Sequence, residues 1–236
     1  MSDPQTSRFR ADKGSLFPLR GEKAQAAELE GVLALAWTTT PWTLPTNAAL
    51  AVGPEINYAL VPAGPDAIHP GTTYLLAEDT IVNYRKELGY AEVADATAAI
   101  TRRIPGSELG GIHYERVFDY YADREAWGLE NAWQILVAEY VATGEGTGIV
   151  HQAPAYGEDD QVTCAEAGIP VVISVDDAGR FLEQVTDVAG LQVFDANKTL
   201  TGLLRSSGRL FAERSYDHSY PHCWRCRTPL IYKAVS

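Results

Sequence analysis

Cysteine is scarce in this 236-residue sequence, with three in all, and basic residues are in deficit, with 19 Lys and Arg against 31 Asp and Glu. An odd number of cysteines, two of them in Cys223-Trp224-Arg225-Cys226, makes no disulfide framework. The fold must therefore rest on a packed core, and a reducing, cytoplasmic setting is the expectation. No apolar run approaches the length of a membrane helix, and the opening MSDPQTSRFRADKG has no apolar stretch, so the sequence predicts neither a span nor a signal peptide. The net charge of −12 argues against a protein that coats nucleic acid by charge alone. No GxSxG elbow is present, and Cys164 has no flanking catalytic signature, which leaves covalent catalysis without support. Gly144, Gly146 and Gly148 lack the strand–turn–helix context of a dinucleotide loop.

Apolar residues are plentiful, at 46% of the chain. A chain of this size buries roughly 70% of its unfolded surface, enough for one substantial core or two modest ones. The charge is uneven. Residues 198–236 carry seven basic side chains against Glu213 and Asp217, a net of +5 that leaves −17 for the rest. One end could thus face a phosphate backbone, although a solvated face explains the same pattern.

Alternating apolar residues predict strands over residues 32–37, 56–61, 73–77, 133–141, 149–152 and 171–175. Helical patterns cover 78–88, 158–167 ended by Gly168, and 196–206 ended by Ser207-Gly208. Several strands follow one another through Gly/Pro turns, so the predicted class is α+β, a mostly antiparallel β-barrel-like core with helices packed outside. Residues 1–31 are the least patterned, and 230–235 (LIYKAV) read as a further strand.

Three constellations could carry chemistry. In WTTTPWTLPTN, Trp37 leads into Thr38, Thr39, Thr40 and Thr43 and on to Asn47, on a turn stiffened by Pro41 and Pro45. Rigid hydroxyls and spare N–H groups suit the stabilisation of a developing oxyanion, whereas threonine is also simply a good strand residue. In GEGTGIVHQAPAYGEDD, His151 lies in an apolar strand just before Glu158, Asp159 and Asp160. These carboxylates could be nothing more than a helix cap. In HSYPHCWRC, Cys223 and Cys226 have the spacing of half a structural zinc site, with His218 and His222 as possible partners.

Taken together, WTTTPWTLPTN, GTGIVHQAPAYGEDD and HCWRCRTPLIYKAV resemble isoleucyl-tRNA synthetases, specifically their connective-peptide editing domain, over most of the chain. Thr40 and His151 point to the isoleucyl branch, because the valyl and leucyl sister domains typically carry Arg after the second Thr and lack the histidine. The resemblance implies a single editing domain over residues 1–236, with 215–236 a strand returning toward a synthetase body. It implies hydrolysis of mischarged Val-tRNA(Ile), and of valyl-adenylate as a further candidate, with water as nucleophile and no metal in the site. Asp160 would hold the α-ammonium, and His151 would line the side-chain pocket. Thr38, Thr39, Thr40 and Thr43, with Trp37 and Asn47, would shape the site for the terminal adenosine and the ester. No HIGH-like or KMSKS-like motif occurs, so amino-acid activation is not expected of this stretch. ATP and zinc belong to the full-length enzyme, and the implied partners are the 3′ end of tRNA(Ile) and the rest of the synthetase, with the domain itself a monomer and no membrane involved. The need for editing is physical: one methylene separates isoleucine from valine by only about 1–3 kcal/mol, a general limit of hydrophobic pockets for which the isoleucyl enzyme is itself the standard illustration. A non-catalytic tRNA-binding or structural insert is the alternative, and a zinc hydrolase built on His218, His222, Cys223 and Cys226 a third.

Overall fold

The computed structural model describes residues 12–20, 27–144, 146–214 and 222–234. Ten strands are present there: β1 Asp12–Arg20, β2 Leu33–Thr38, β3 Ala49–Val52, β4 Asn57–Pro62, β5 Thr73–Ala77, β6 Arg102–Pro105, β7 His113–Tyr114, β8 Ile135–Val137, β9 Ile149–Gln152 and β10 Leu210–Arg214. The helices are α1 Ile81–Tyr84, α2 Val93–Ala98, α3 Arg124–Trp127, α4 Glu158–Glu166 and α5 Val193–Ser206. The class is α+β as expected, with the sheet curled into a half-barrel. Six strand pairings are antiparallel and three parallel.

The sheet runs β6-β4-β5-β2-β9-β3-β8, and β2 is where it forks. One edge of β2 is covered along its length by antiparallel β1, from Pro18 opposite Leu33 to Lys13 opposite Thr38. The other edge is shared. Its first half pairs in parallel with β5, through Leu33 and Ala34, and its end pairs in parallel with β9, where Trp37 lies opposite Val150. Because β2 and β9 run the same way, the segments that leave them emerge on the same side of the sheet. This places the threonine turn beside the acidic start of α4.

Buried interactions hold the fork. Tyr58, fully buried in β4, accepts a hydrogen bond from Gly53 N–H at 3.0 Å and donates to the Gly148 carbonyl at 2.6 Å. Gly148 adopts φ +76°, and a Cβ there would lie 2.4 Å from that of Ala77. Thr147, also fully buried, donates its hydroxyl to the Leu35 carbonyl, which ties the entry of β9 to β2. Beneath the threonine turn lies α5, whose buried Val193, Ala196, Leu200, Thr201 and Leu204 follow helical spacing. Its start precedes the predicted residue 196 because Gln192 caps it, the side chain accepting from Phe194 N–H at 2.8 Å.

Several expectations need correction. Residues 1–31 include β1, a nine-residue strand pairing with β2, β7 and β10. From Gly14 to Phe17 it is buried at every position, so no alternation marks it. The strand expected over 133–141 contracts to β8, because Trp133 stands at φ +61°, outside the extended region. Residues 171–175 form no strand, and Val175 makes an isolated bridge with Phe181. The helix over 78–88 is a 3-10 turn, Glu78–Thr80, followed by α1. Of the strand expected over 230–235, the described residues 230–234 are irregular, with Ala234 N–H donating to the Ala155 carbonyl at 2.7 Å. Of the returning segment 215–236, residues 215–221 and 235–236 lie outside the described residues, as does His218.

Candidate active site

A cavity of about 600 Å³ opens where the two segments meet. From the first segment come Trp37, Thr38, Thr39, Thr40 and Thr43; from the second, His151, Ala153, Tyr156 and Asp160; Asn83 and Tyr84 close one side from α1. The threonine turn, Pro41–Thr46, is a 3-10 helix with proline at its first position. A second proline, Pro45, has no N–H to give an α-helical bond, so the turn runs on i to i+3 contacts: Thr43 N–H to the Thr40 carbonyl and Asn47 N–H to that of Leu44, both at 3.0 Å. Its hydroxyls form a row. Thr38 Oγ1 accepts from Thr40 N–H at 3.1 Å, Thr40 Oγ1 lies 3.5 Å from both Thr38 Oγ1 and Thr43 Oγ1, and Thr43 donates to the Thr40 carbonyl at 2.8 Å. Thr39 is the exposed member of the row.

His151, on β9, is buried behind this row. Its Nε2 lies 2.9 Å from Thr43 Oγ1 and its Nδ1 lies 2.8 Å from Asn47 Nδ2. With no charged partner on either nitrogen, burial pushes its pKa down to about 3, so the ring is neutral at physiological pH.

Asp160 stands in the first turn of α4 with Glu158 and Asp159, where the helix dipole favours carboxylates, but it makes no side-chain capping bond. Gly157 is the N-cap of α4, and no side chain caps that helix. Asp160 instead turns back to accept the Ala153 N–H on Oδ2 at 2.8 Å. The carboxyl lies so close to Gly157 that a Cβ there would sit 2.8 Å from Asp160 Cγ, which explains the glycine. Burial pushes the Asp160 pKa up to about 6, against the lowering effect of the Ala153 N–H and with a smaller upward contribution from Asp159. A carboxylate held this way favours a cationic ligand, because a neighbouring positive charge offsets what burial costs it.

Seven of the eight predicted residues line one cavity: Trp37, Thr38, Thr39, Thr40, Thr43, His151 and Asp160. Asn47 does not. It is buried one layer behind, on the far side of His151. Sequence reasoning missed Tyr84, which packs 5.7 Å from Trp37, and Asn83, because nothing in the 78–88 pattern distinguishes a cavity wall from a solvated face. It also missed Tyr114, which reaches Asn47 from β7. Tyr156 lay within a singled-out motif. Its ring meets Trp42 at 4.7 Å, and its hydroxyl binds Ser174, which anchors the cavity floor to the 171–175 segment. Cys223, Cys226 and His222 are not among the cavity's described lining. Among the described residues, which do not include His218, no three His, Cys, Asp or Glu side chains converge as a metal requires, and Cys223 and Cys226 have the spacing of half a zinc site.

Comparison with known proteins gives the site its context. No family model matches. The isoleucine–tRNA ligase of Leifsonia xyli subsp. xyli is 63% identical over 93% of the chain, and that of Tropheryma whipplei (strain Twist) is 49% identical over 93%. The chain spans about a fifth of the length of these relatives, 21% and 20%. Among solved structures, GlLeuRS-CP1 superposes with a TM-score of 0.63 at 14% identity, covering 86% of this chain and 99% of that one. The editing domain of the P. knowlesi cytosolic leucyl-tRNA synthetase does so with 0.61 at 11% identity, covering 92% and 98%. The chain is therefore a segment of the isoleucine–tRNA ligase family, and it carries the fold of the leucyl enzymes' editing domains.

Proposed function

We propose that this segment hydrolyses the aminoacyl ester of Val-tRNA(Ile), and valyl-adenylate by the same contacts, as the proofreading unit of an isoleucine–tRNA ligase whose remaining chain and tRNA(Ile) are its partners. The observation that carries the proposal is the meeting of Asp160 with the threonine row in one cavity. Asp160, with Oδ2 occupied by Ala153 N–H, offers its other oxygen to the α-ammonium of the bound aminoacyl group. That anchor sets the ester carbonyl against the hydroxyls of Thr38, Thr39 and Thr40, which act as donors to the oxyanion as water adds. Collapse of the tetrahedral intermediate breaks the ester C–O bond, returning a proton to the ribose oxygen and freeing valine. His151 is neutral and has both ring nitrogens engaged, so it serves as wall and not as proton carrier. The rate then comes from holding water and ester in register and from fixed dipoles.

Incubating the purified chain with Val-tRNA(Ile) tests the proposal. The expected result is deacylation above the buffer rate, lowered in Asp160→Ala by roughly 10- to 150-fold, the loss of a charged hydrogen bond worth about 1.5–3 kcal/mol. No acceleration at saturating protein overturns it. Binding of tRNA that survives Asp160→Ala, without hydrolysis by either form, would instead assign a non-catalytic insert.

A further inference from the structure

Asn47 is saturated. Its N–H donates to the Leu44 carbonyl at 3.0 Å, its carbonyl accepts from Trp133 Nε1 at 3.0 Å, and its Oδ1 accepts from the Tyr114 hydroxyl at 2.7 Å. Its Nδ2 reaches both the Ala49 carbonyl, at 2.9 Å, and His151 Nδ1, at 2.8 Å. A peptide carbonyl can only accept, so the Ala49 contact fixes the amide NH2 on the side that faces the imidazole. The Tyr114 hydroxyl, on the opposite side, is satisfied by an amide oxygen. An inverted amide would set two carbonyl oxygens against each other at hydrogen-bond distance. The NH2 group therefore donates to His151 Nδ1, Nδ1 carries the lone pair, and the ring proton must sit on Nε2.

We infer that Asn47 is a positioning residue that locks His151 in its Nε2–H tautomer, with Tyr114 and Trp133 holding Asn47 in place. The consequence reaches Thr43. With the proton on Nε2, the ring donates to Thr43 Oγ1, whose own hydrogen goes to the Thr40 carbonyl. The line Asn47, His151, Thr43 has the spacing of an acid–base–nucleophile triad, but its first member is a donor and its protons run the opposite way. Nε2 cannot take the Thr43 proton. Thr43 is thereby barred from acting as an acyl-forming nucleophile, and the ester is left to water. The inference rests on the proposed esterase only for that last consequence; the tautomer stands without it.

Nitrogen-15 spectra of the His151 ring in the intact chain give a readout that does not depend on turnover, the signals being assigned by their loss in His151→Gln. The expected result is a protonated Nε2 and an unprotonated Nδ1, unchanged between about pH 5 and 9. Asp160 is the charged side chain among the described lining of that cavity, and its titration will shift the signals without moving the proton. A ring protonated at Nδ1, or one titrating near neutrality, overturns the inference whatever the enzyme activity. Asn47→Asp supplies the contrast: an accepting carboxylate should draw a proton to Nδ1, giving the opposite tautomer or the imidazolium. Deacylation should fall at least about tenfold, as for a misplaced group in a preorganised site. Retention of the wild-type ring signature in Asn47→Asp also overturns the inference. A chain that shows the expected tautomer but fails to hydrolyse Val-tRNA(Ile) removes the function and leaves the tautomer intact.

Discussion

His151 and Asp160 show how burial assigns roles to two titratable groups in one cavity. Burial keeps the imidazole neutral and makes it a fixed surface; burial leaves the carboxyl in need of a cation. Replacing His151 by Ala deletes a wall and leaves the Asn47 amide and the Thr43 hydroxyl each short of a partner. The expected result is hydrolysis of correctly charged Ile-tRNA(Ile), with the valine-over-isoleucine preference falling toward unity, measured as the ratio of single-turnover rates on the two substrates. Unchanged selectivity would show that His151 is not the wall that limits side-chain size. The variant should also lose about 1–3 kcal/mol of stability in urea melts, from the orphaned buried groups. Asp160 and His151 were legible in the sequence because each stands within a dense polar motif. The place of Asn47 was not, since a residue that touches substrate and one that holds the residue touching substrate look alike in one dimension.

At the scale of elements, β2 and β9 build the site because they are parallel neighbours at the fork. Legibility did not follow burial alone. β4 and β5 are each buried at four consecutive positions, yet were predicted within a residue of their ends as apolar runs bounded by turn residues, whereas β1 mixes Gly14 and Ser15 into its buried stretch and gives no such run. β3, four residues long and buried at every position, was missed as well. The predicted strand over 133–141 failed at Trp133, where two guanidinium groups, of Arg116 and Arg124, stand 4.8 and 4.9 Å from the ring and the backbone turns left-handed. Such a conformation follows from tertiary packing and has no local signature. Entry to β9 is equally demanding. Gly148→Ala must adopt positive φ and press a methyl group against Ala77, so a loss of about 2 kcal/mol or more is expected by chemical denaturation. Gly144→Ala, with nothing within 4 Å of the added carbon, serves as the control and should change stability by less than about 0.5 kcal/mol.

Across the whole molecule, acidity is offset locally. Of the basic side chains concentrated after residue 198, Arg205 pairs with Glu213, Arg209 with Glu115 and Lys233 with Asp177, so much of the apparent basic end is spent within the fold. Asp160 is the opposite case, a carboxylate whose ionisation the fold opposes. Its folded pKa of about 6 lies above the ordinary 3.8, so the folded state holds that proton more tightly. The stability it lends is complete below about pH 4 and is lost as pH rises through about 6. Asp160→Asn has no proton to lose. The variant should match the wild type near pH 4 and exceed it by about 2–3 kcal/mol at pH 7 in urea titrations, while losing ester hydrolysis. Equal stabilities at pH 7 would show that the carboxyl ionises there without penalty.

The pairing of Trp37 with Val150 also governs where the chain can change length. The threonine turn and His151 are 108 positions apart at their contact, yet that backbone register aligns them. Extra residues in the connection between β4 and β5, or between α1 and α2, cost little and leave the register alone. Deleting a single residue within β2 or β9 would turn successive side chains to the other face and carry the hydroxyl row or the imidazole out of the cavity. Drift in size therefore belongs to the outlying connections, and along β2 and β9 chemistry can be altered by substitution alone.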